Sequence, residues 1–267
     1  MRDSIHLYLR FLGVSLRAQM QYRASFVILS VATFLATSIE IIGIWVLFYR
    51  FTSLRGWTLP EVAVFYGQVN VALAVGDAFA RGFDVFGRMV QSGDFDRLLL
   101  RPRNTALQVA GQDLPMFRVG RLAQGLIVLI WAMGAMGLSW TASRVLLAAL
   151  AVVGCAAMFY GLWVLQATLA FWTVESLEIM NAFTYGGAET AQFPLPIYRP
   201  WFRKFFTFVI PLACVAYFPA LALMGKPDPL GTPRVFQWLS PLAGVAFMAV
   251  SFQAWKIGVR HYRSTGS

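Results

Sequence analysis

Charged residues in this chain are gathered into clusters, and several of the intervals between them run for about 20 residues with almost no Asp, Glu, Lys or Arg. An interval of that length matches the hydrocarbon thickness of a bilayer. Inside hydrocarbon every backbone N–H and C=O must be satisfied within the segment, so each interval reads as a helix. Composition agrees: 58% of the 267 residues are hydrophobic and 13% are charged, too few charges to coat a water-soluble globule of this size. The fold class expected is an all-α integral membrane protein, with a single transmembrane domain over residues 1–267.

Six transmembrane helices are expected, at residues 24–49, 61–79, 122–140, 148–173, 205–224 and 235–255. The second is the weakest, because its uncharged stretch from Val62 to Gly76 is short and holds Gln68 and Asn70, so a re-entrant segment is the alternative there. Pro211, Pro219 and Pro241 fall in or beside the last two, which predicts kinks or broken helices. Residues 1–23 precede the first span. In them Ile5, Tyr8, Leu9, Leu12 and Leu16 recur at helical spacing opposite Asp3, His6, Arg10 and Arg17, the pattern of an amphipathic helix lying in the membrane interface. The first apolar run is too long and begins too late for a cleavable signal, so it is expected to act as an uncleaved anchor.

With six spans, seventeen Lys and Arg residues fall on the side of the termini and five (Arg50, Arg55, Arg144, Lys226, Arg234) on the other. Basic residues are retained on the cytoplasmic side during insertion, so both termini are expected there. The same bias accounts for the net charge of +10 without a nucleic-acid partner. Cys155 and Cys214 lie in apolar runs and have neither disulfide nor metal-ligand spacing.

Catalytic chemistry has little to work with. No Gly-x-x-x-x-Gly-Lys-Ser/Thr loop is present, so the chain has no P-loop cradle for nucleotide phosphates, and if ATP drives it another chain binds the ATP. The two histidines, His6 and His261, stand near the termini, away from any intramembrane metal site or proton relay, and no metal site is expected. Ser139, Ser240 and Ser251 have no base nearby in sequence. Glu40 is the one carboxylate within the first span, about 24 Å along it, and with Asn70 is a candidate for a gating or substrate path. Asp77, near the cytoplasmic end of span two, is expected to be structural.

The polar loop of residues 79–121 holds a short helix: Gly93 interrupts the chain, Asp94 is a plausible N-cap, Leu98 to Leu100 give an apolar surface and Pro102 stops the turn. The run from Gly93 to Pro102, Gly-Asp-Phe-Asp-Arg-Leu-Leu-Leu-Arg-Pro, resembles a pattern of the ABC-2 type permeases, the small six-span bacterial group. Resemblance continues through Trp172 to Glu175, Asn181, Gln192 to Tyr198, Phe208 to Ala213, Tyr217 to Ala220, Trp255 to Gly258 and Tyr262 to Ser267. Arg103 departs from it, standing where an apolar residue is expected.

This resemblance implies a membrane-spanning permease of an ATP-driven exporter in the bacterial cytoplasmic (inner) membrane, paired with itself or a related permease. It also implies P-loop ATPase partners that carry the ATP and Mg, with no cofactor on this chain. The residues carried onto the ATPase-coupling helix are Asp94, Phe95, Asp96, Leu98, Leu99 and Arg101, and Glu175, Glu178 and Glu189 are candidates for a second cytoplasmic contact. An ion-gradient-driven secondary transporter would need several acidic mid-membrane sites where one marginal Glu is found. A non-transporting membrane scaffold would carry the same spans. Few charges in aromatic-rich spans suit an amphiphilic cargo.

Overall fold

A computed structural model describes residue 10 and residues 13–15, 17–112, 118–173, 177–229 and 231–263, the side chains of 177–179 excepted. Its regular elements are helical apart from one β-bridge between Leu54 and Trp57. Of the expected interfacial segment, residues 10, 13–15 and 17–21 are helical; Asp3, Ile5, His6, Tyr8, Leu9, Leu12 and Leu16 lie outside the described residues.

Among the described residues, four helices are long and apolar enough to cross a membrane. Helix α1 spans Arg23–Arg50. Helix α2, Leu59–Asp84, starts at a capping box in which Thr58 N donates to Glu61 Oε2 at 2.8 Å, and it continues into α3, Phe86–Gln91. Two short helices follow, α4 at Asp94–Leu99 and α5 at Thr105–Ala110, then α6 at Val119–Ala135. Helix α7 is Ala142–Leu169, α8 is Leu177–Ala191, and α12, the last, is Leu242–His261. Between α8 and α12 the chain forms α9 (Pro200–Lys204), α10 (Phe218–Met224) and α11 (Arg234–Leu239). At 17 residues and about 26 Å, α6 is at the short limit for a span.

Helix α2 is the central post. In its most apolar window 83% of residues are buried, against 11% for α1, because α6, α7 and α8 pack around it while α1 leans chiefly on α6. The second expected span is therefore a full helix of about 39 Å and no re-entrant segment.

Small residues set the register. A Cβ on Gly67 would meet Gly125 O and Leu129, and one on Gly125 would meet Val71, so α2 and α6 run antiparallel. On α7, Gly154, Gly161 and Thr168 recur every seven residues; on α12, Gly244, Ser251 and Gly258 do the same. The two series meet in ascending order, Gly154 on Gly244, Gly161 on Ser251 and Thr168 on Gly258, so α7 and α12 run parallel. Helices α2 and α7 are parallel as well, Gly76 facing Ala156 to Trp163 and Asp84 accepting from Gln166 at 3.3 Å. All three finish at one end of the bundle with Arg81, Arg88 and Arg97.

The expected fifth span, residues 205–224, is corrected by what its ends touch. Residues 200–209 and 213–224 form two arms bent by 86° at Ile210–Leu212, where Pro211 cannot donate and π-helical turns at Phe205–Val209 and Ala213–Tyr217 flank the break. Before the first arm, Pro196 O accepts from Arg55 at 3.3 Å. After the second, Lys226 Nζ binds Glu61 Oε1 at 2.7 Å and sits 3.9 Å over the Trp57 ring. Both ends thus reach the α1–α2 loop, at the end of the bundle away from the arginines, and the bent pair dips in and returns to the same end. Its exposed main chain is tolerated because it is packed in protein: Gln68 Nε2 donates to Val215 O at 2.9 Å.

The traverse in the other direction is made by α8 and its extension. Phe171 and Trp172 stand at the arginine-rich end, against Trp255 and His261, whereas Leu195 packs in the cluster of Trp57, Phe65 and Tyr217 at the far end. Arg199, Arg203 and Lys204 consequently follow the far-end contact of Pro196, and moving them in the charge count leaves fourteen against eight, still biased the same way. The sixth expected span is also redrawn, since 234–239 is a separate helix and α12 begins only after Ser240–Pro241. With both native cysteines replaced, Trp201→Cys and Thr52→Cys should react with a membrane-impermeant maleimide from the same side of sealed vesicles. Labelling from opposite sides would restore a crossing at 205–224.

Candidate functional site

The short helix α4 begins where Gly93 takes φ 72°, a left-handed turn that an L side chain resists, and reverses the chain beneath α2. Its two faces differ. Phe95 and Leu98 point inward and are buried. The Phe95 ring lies 4.9 Å from Phe86, 5.0 Å from Tyr262, 5.5 Å from Phe171 and 6.2 Å from Trp255, mostly edge to face. Those four rings come from the ends of α2–α3, α7 and α12, so the three parallel helices share one aromatic socket and α4 is seated in it. Trp255 Nε1 donates to Thr105 Oγ1 at 3.2 Å, and Gln108 Nε2 donates to Leu98 O at 3.3 Å and Arg103 O at 3.2 Å, which ties α5 to the same block.

The outer face carries the rest of the expected set. Asp94 is exposed, accepts from Ser92 Oγ at 2.7 Å and pairs with Arg97 at 3.5 Å. Leu99 is 40% and Leu100 86% exposed, and Arg101 is exposed beside them. Asp96 is half-buried against Tyr262, whose phenol burial and that carboxylate push up to about 12, so it stays a neutral hydroxyl at physiological pH. A surface cleft of about 610 Å³ beside the helix is lined by Arg88, Arg97 and Arg101. Of the six residues carried onto the coupling helix, Phe95 and Leu98 are anchors, while Asp94, Leu99 and Arg101 remain open to a partner. Leu100 presents more apolar surface than any of them.

Above the socket, Asp77 is buried and pairs with Arg118 Nε at 2.5 Å, which joins α2 to the start of α6, while Arg81 pairs with Asp84 within α2. About a third of the way along α2, Tyr66 hydroxyl donates to Thr37 O at 2.6 Å with Glu40 Oε2 3.3 Å from the same oxygen, and Tyr66 O accepts from Asn70 Nδ2 at 3.0 Å. Glu40 and Asn70 are thus linked through one tyrosine, and Asn70 Oδ1, fully buried, has no hydrogen-bond partner among the described residues. Glu189 is exposed on α8, within electrostatic reach of Glu40 and Arg121, so it flanks this polar strip inside the bundle's length and away from α4. Glu175 lies outside the described residues, as does the side chain of Glu178. Phe86 and Phe171 escaped sequence reasoning because an aromatic at the end of an apolar run carries no periodic signal of its own.

Apolar helices of spanning length, packed through small residues and carrying a polar strip, make this a multi-pass membrane protein. Residues 34–266 match the family described as ABC-2 family transporter protein, and the chain belongs to that family. Membership makes it a membrane transport subunit, and permeases of the family generally work with ATPase subunits in the membrane. No curated protein and no solved structure matches the chain.

Proposed function

We propose that this chain is the membrane-spanning permease of an ATP-driven exporter of the bacterial inner membrane, working as a pair with itself or a related permease. Separate P-loop ATPase subunits hold the ATP and Mg. Six crossings are made by α1, α2, α6, α7, the 177–196 segment and α12, and both termini face the cytoplasm with the arginine-rich end. The observation that carries this reading is the aromatic socket. A push on α4 acts on Phe95, and Phe95 is wedged among Phe86, Phe171, Trp255 and Tyr262, so the ends of α2, α7 and α12 move as one body. The ATPase contact is made by Leu99 and Leu100 with Asp94 and Arg101 around them. The polar strip of Glu40, Tyr66, Asn70 and Glu189 faces the translocation path.

Replacing Leu99 and Leu100 by Asp removes that apolar contact while leaving the buried face of α4 intact. Co-purification of an ATPase subunit with the detergent-solubilised double variant should fall at least tenfold, with no loss of thermal stability, because both side chains are exposed. Full retention of the ATPase would remove α4 from the interface.

A further inference from the structure

At the end of the bundle opposite α4, three cations converge on one cleft. Arg144 comes from the first turn of α7, Lys226 from the chain just after α10, and Arg234 from the first residue of α11. The cleft has a volume of about 240 Å³; Ser143, Gln237 and Trp238 complete much of its wall, and no carboxylate among the described residues lines it.

Each cation is held or free in a way that favours an anion. Lys226 is fixed by Glu61 at 2.7 Å and by the Trp57 ring. Arg144 Nη1 donates to Ser139 O at 2.8 Å, which leaves the remaining donors of its fork available. Arg144 and Arg234 form no ion pair with a carboxylate among the described residues. Asp228, the acidic residue nearest in sequence to Lys226, is not among the lining residues; it accepts from Tyr217 hydroxyl at 3.1 Å and Thr232 Oγ1 at 2.6 Å. The amino end of the 28-residue α7, at Ser143 and Arg144, adds the positive end of a long helix dipole.

Lys226 is matched by Glu61, but among the described residues the charges of Arg144 and Arg234 are not, and an anion between two such forks in one small cleft would offset their repulsion. We propose that this cleft binds a phosphate-bearing anion, held by the guanidinium forks of Arg144 and Arg234 with Lys226 behind them. Phosphate matches a guanidinium fork, which donates two parallel hydrogen bonds to paired oxygens. Trp238 and Leu221 supply an apolar wall beside the charged floor. The same chemistry fits an anionic lipid headgroup of the adjacent leaflet and a soluble phosphate. This site is independent of how α4 meets its partner.

The test uses the full chain, purified in a maltoside detergent and delipidated. Binding is read from thermal shift and native mass spectrometry with two probes: inorganic phosphate at constant ionic strength, and dioleoylphosphatidylglycerol with dioleoylglycerol as its phosphate-free control. The wild-type chain should bind one of them, and Arg144→Gln/Arg234→Gln should weaken that binding at least tenfold, while Arg50→Gln, at the same end but outside the cleft, stays within twofold. A response to inorganic phosphate identifies a soluble anion, and a response to the phosphatidyl lipid alone identifies a headgroup; either supports the site. Arg234→Gln alone, which alters an exposed side chain, should cost at least threefold and serves if the double variant does not fold. Absence of binding to both probes overturns the proposal, and so does equal weakening by Arg50→Gln.

Discussion

Phe95→Ala should lower the stability of the purified protein by about 3–5 kcal/mol, the usual cost of emptying a fully buried aromatic site. The ring has no exposed surface and four aromatic neighbours within 6.2 Å, and these neighbours sit on three helices that cannot all close on the gap. Thermal or denaturant unfolding in detergent measures the loss. In vesicles reconstituted with the ATPase, the variant should hydrolyse ATP with export reduced out of proportion, because α4 would still present Leu99 and Leu100 but would no longer be wedged against the spans. Leu100→Ala, on the exposed face, should change stability by less than about 0.5 kcal/mol. A Phe95→Ala loss below about 1 kcal/mol would show that the socket repacks and carries no push.

Arg118→Ala comes next in size, at about 3–5 kcal/mol, because it strands a buried carboxylate. Asp77 has 5% of its side chain exposed, its Oδ2 lies 2.5 Å from Arg118 Nε, and its Oδ1 has no hydrogen-bond partner among the described residues. Removing both charges should be milder: Asp77→Asn/Arg118→Ala is expected to recover more than half of the Arg118→Ala loss, since most of the single-variant cost is the uncompensated charge and little of it is the net worth of the pair. Unfolding curves of the two single variants and the double variant give the coupling directly. Additive costs would mean that the contact between α2 and α6 is held elsewhere, for instance by the close packing of Gly67 and Gly125.

Much of the site was legible because it is local. Gly93 at the turn, the two Asp residues of the first turn and the apolar triplet Leu98 to Leu100 are read from ten consecutive residues, and α4 forms where they place it. Which face of so short a helix is buried is not local. Leu98 and Leu99 are neighbours of identical chemistry, yet one is buried beside Gln108 and the other is open, and the difference is set by Phe171, Trp255 and Tyr262, from 73 to 164 positions beyond Leu98. The polar strip is similar: Glu40 and Asn70 are visible as polar residues in apolar runs, but Tyr66, which joins them, reads as one more aromatic.

Hydropathy by itself determined that the chain lives in lipid, that two helices start within two residues of Arg23 and Leu59, and which end gathers the arginines, whereas the expected 148–173 and 235–255 lie four to seven residues off Ala142–Leu169 and Leu242–His261. Those properties are sums over neighbouring side chains, and the bilayer imposes them segment by segment. Direction is another matter. Residues 205–224 are apolar whether they cross or turn back, and Leu177–Ala191, with Asn181, Thr184 and Glu189, is too polar to read as a span because protein covers much of it. Only the pairing of Arg55 with Pro196 and of Lys226 with Glu61, contacts made 141 and 165 positions apart, decides that the first folds back and the second carries the chain across the bundle.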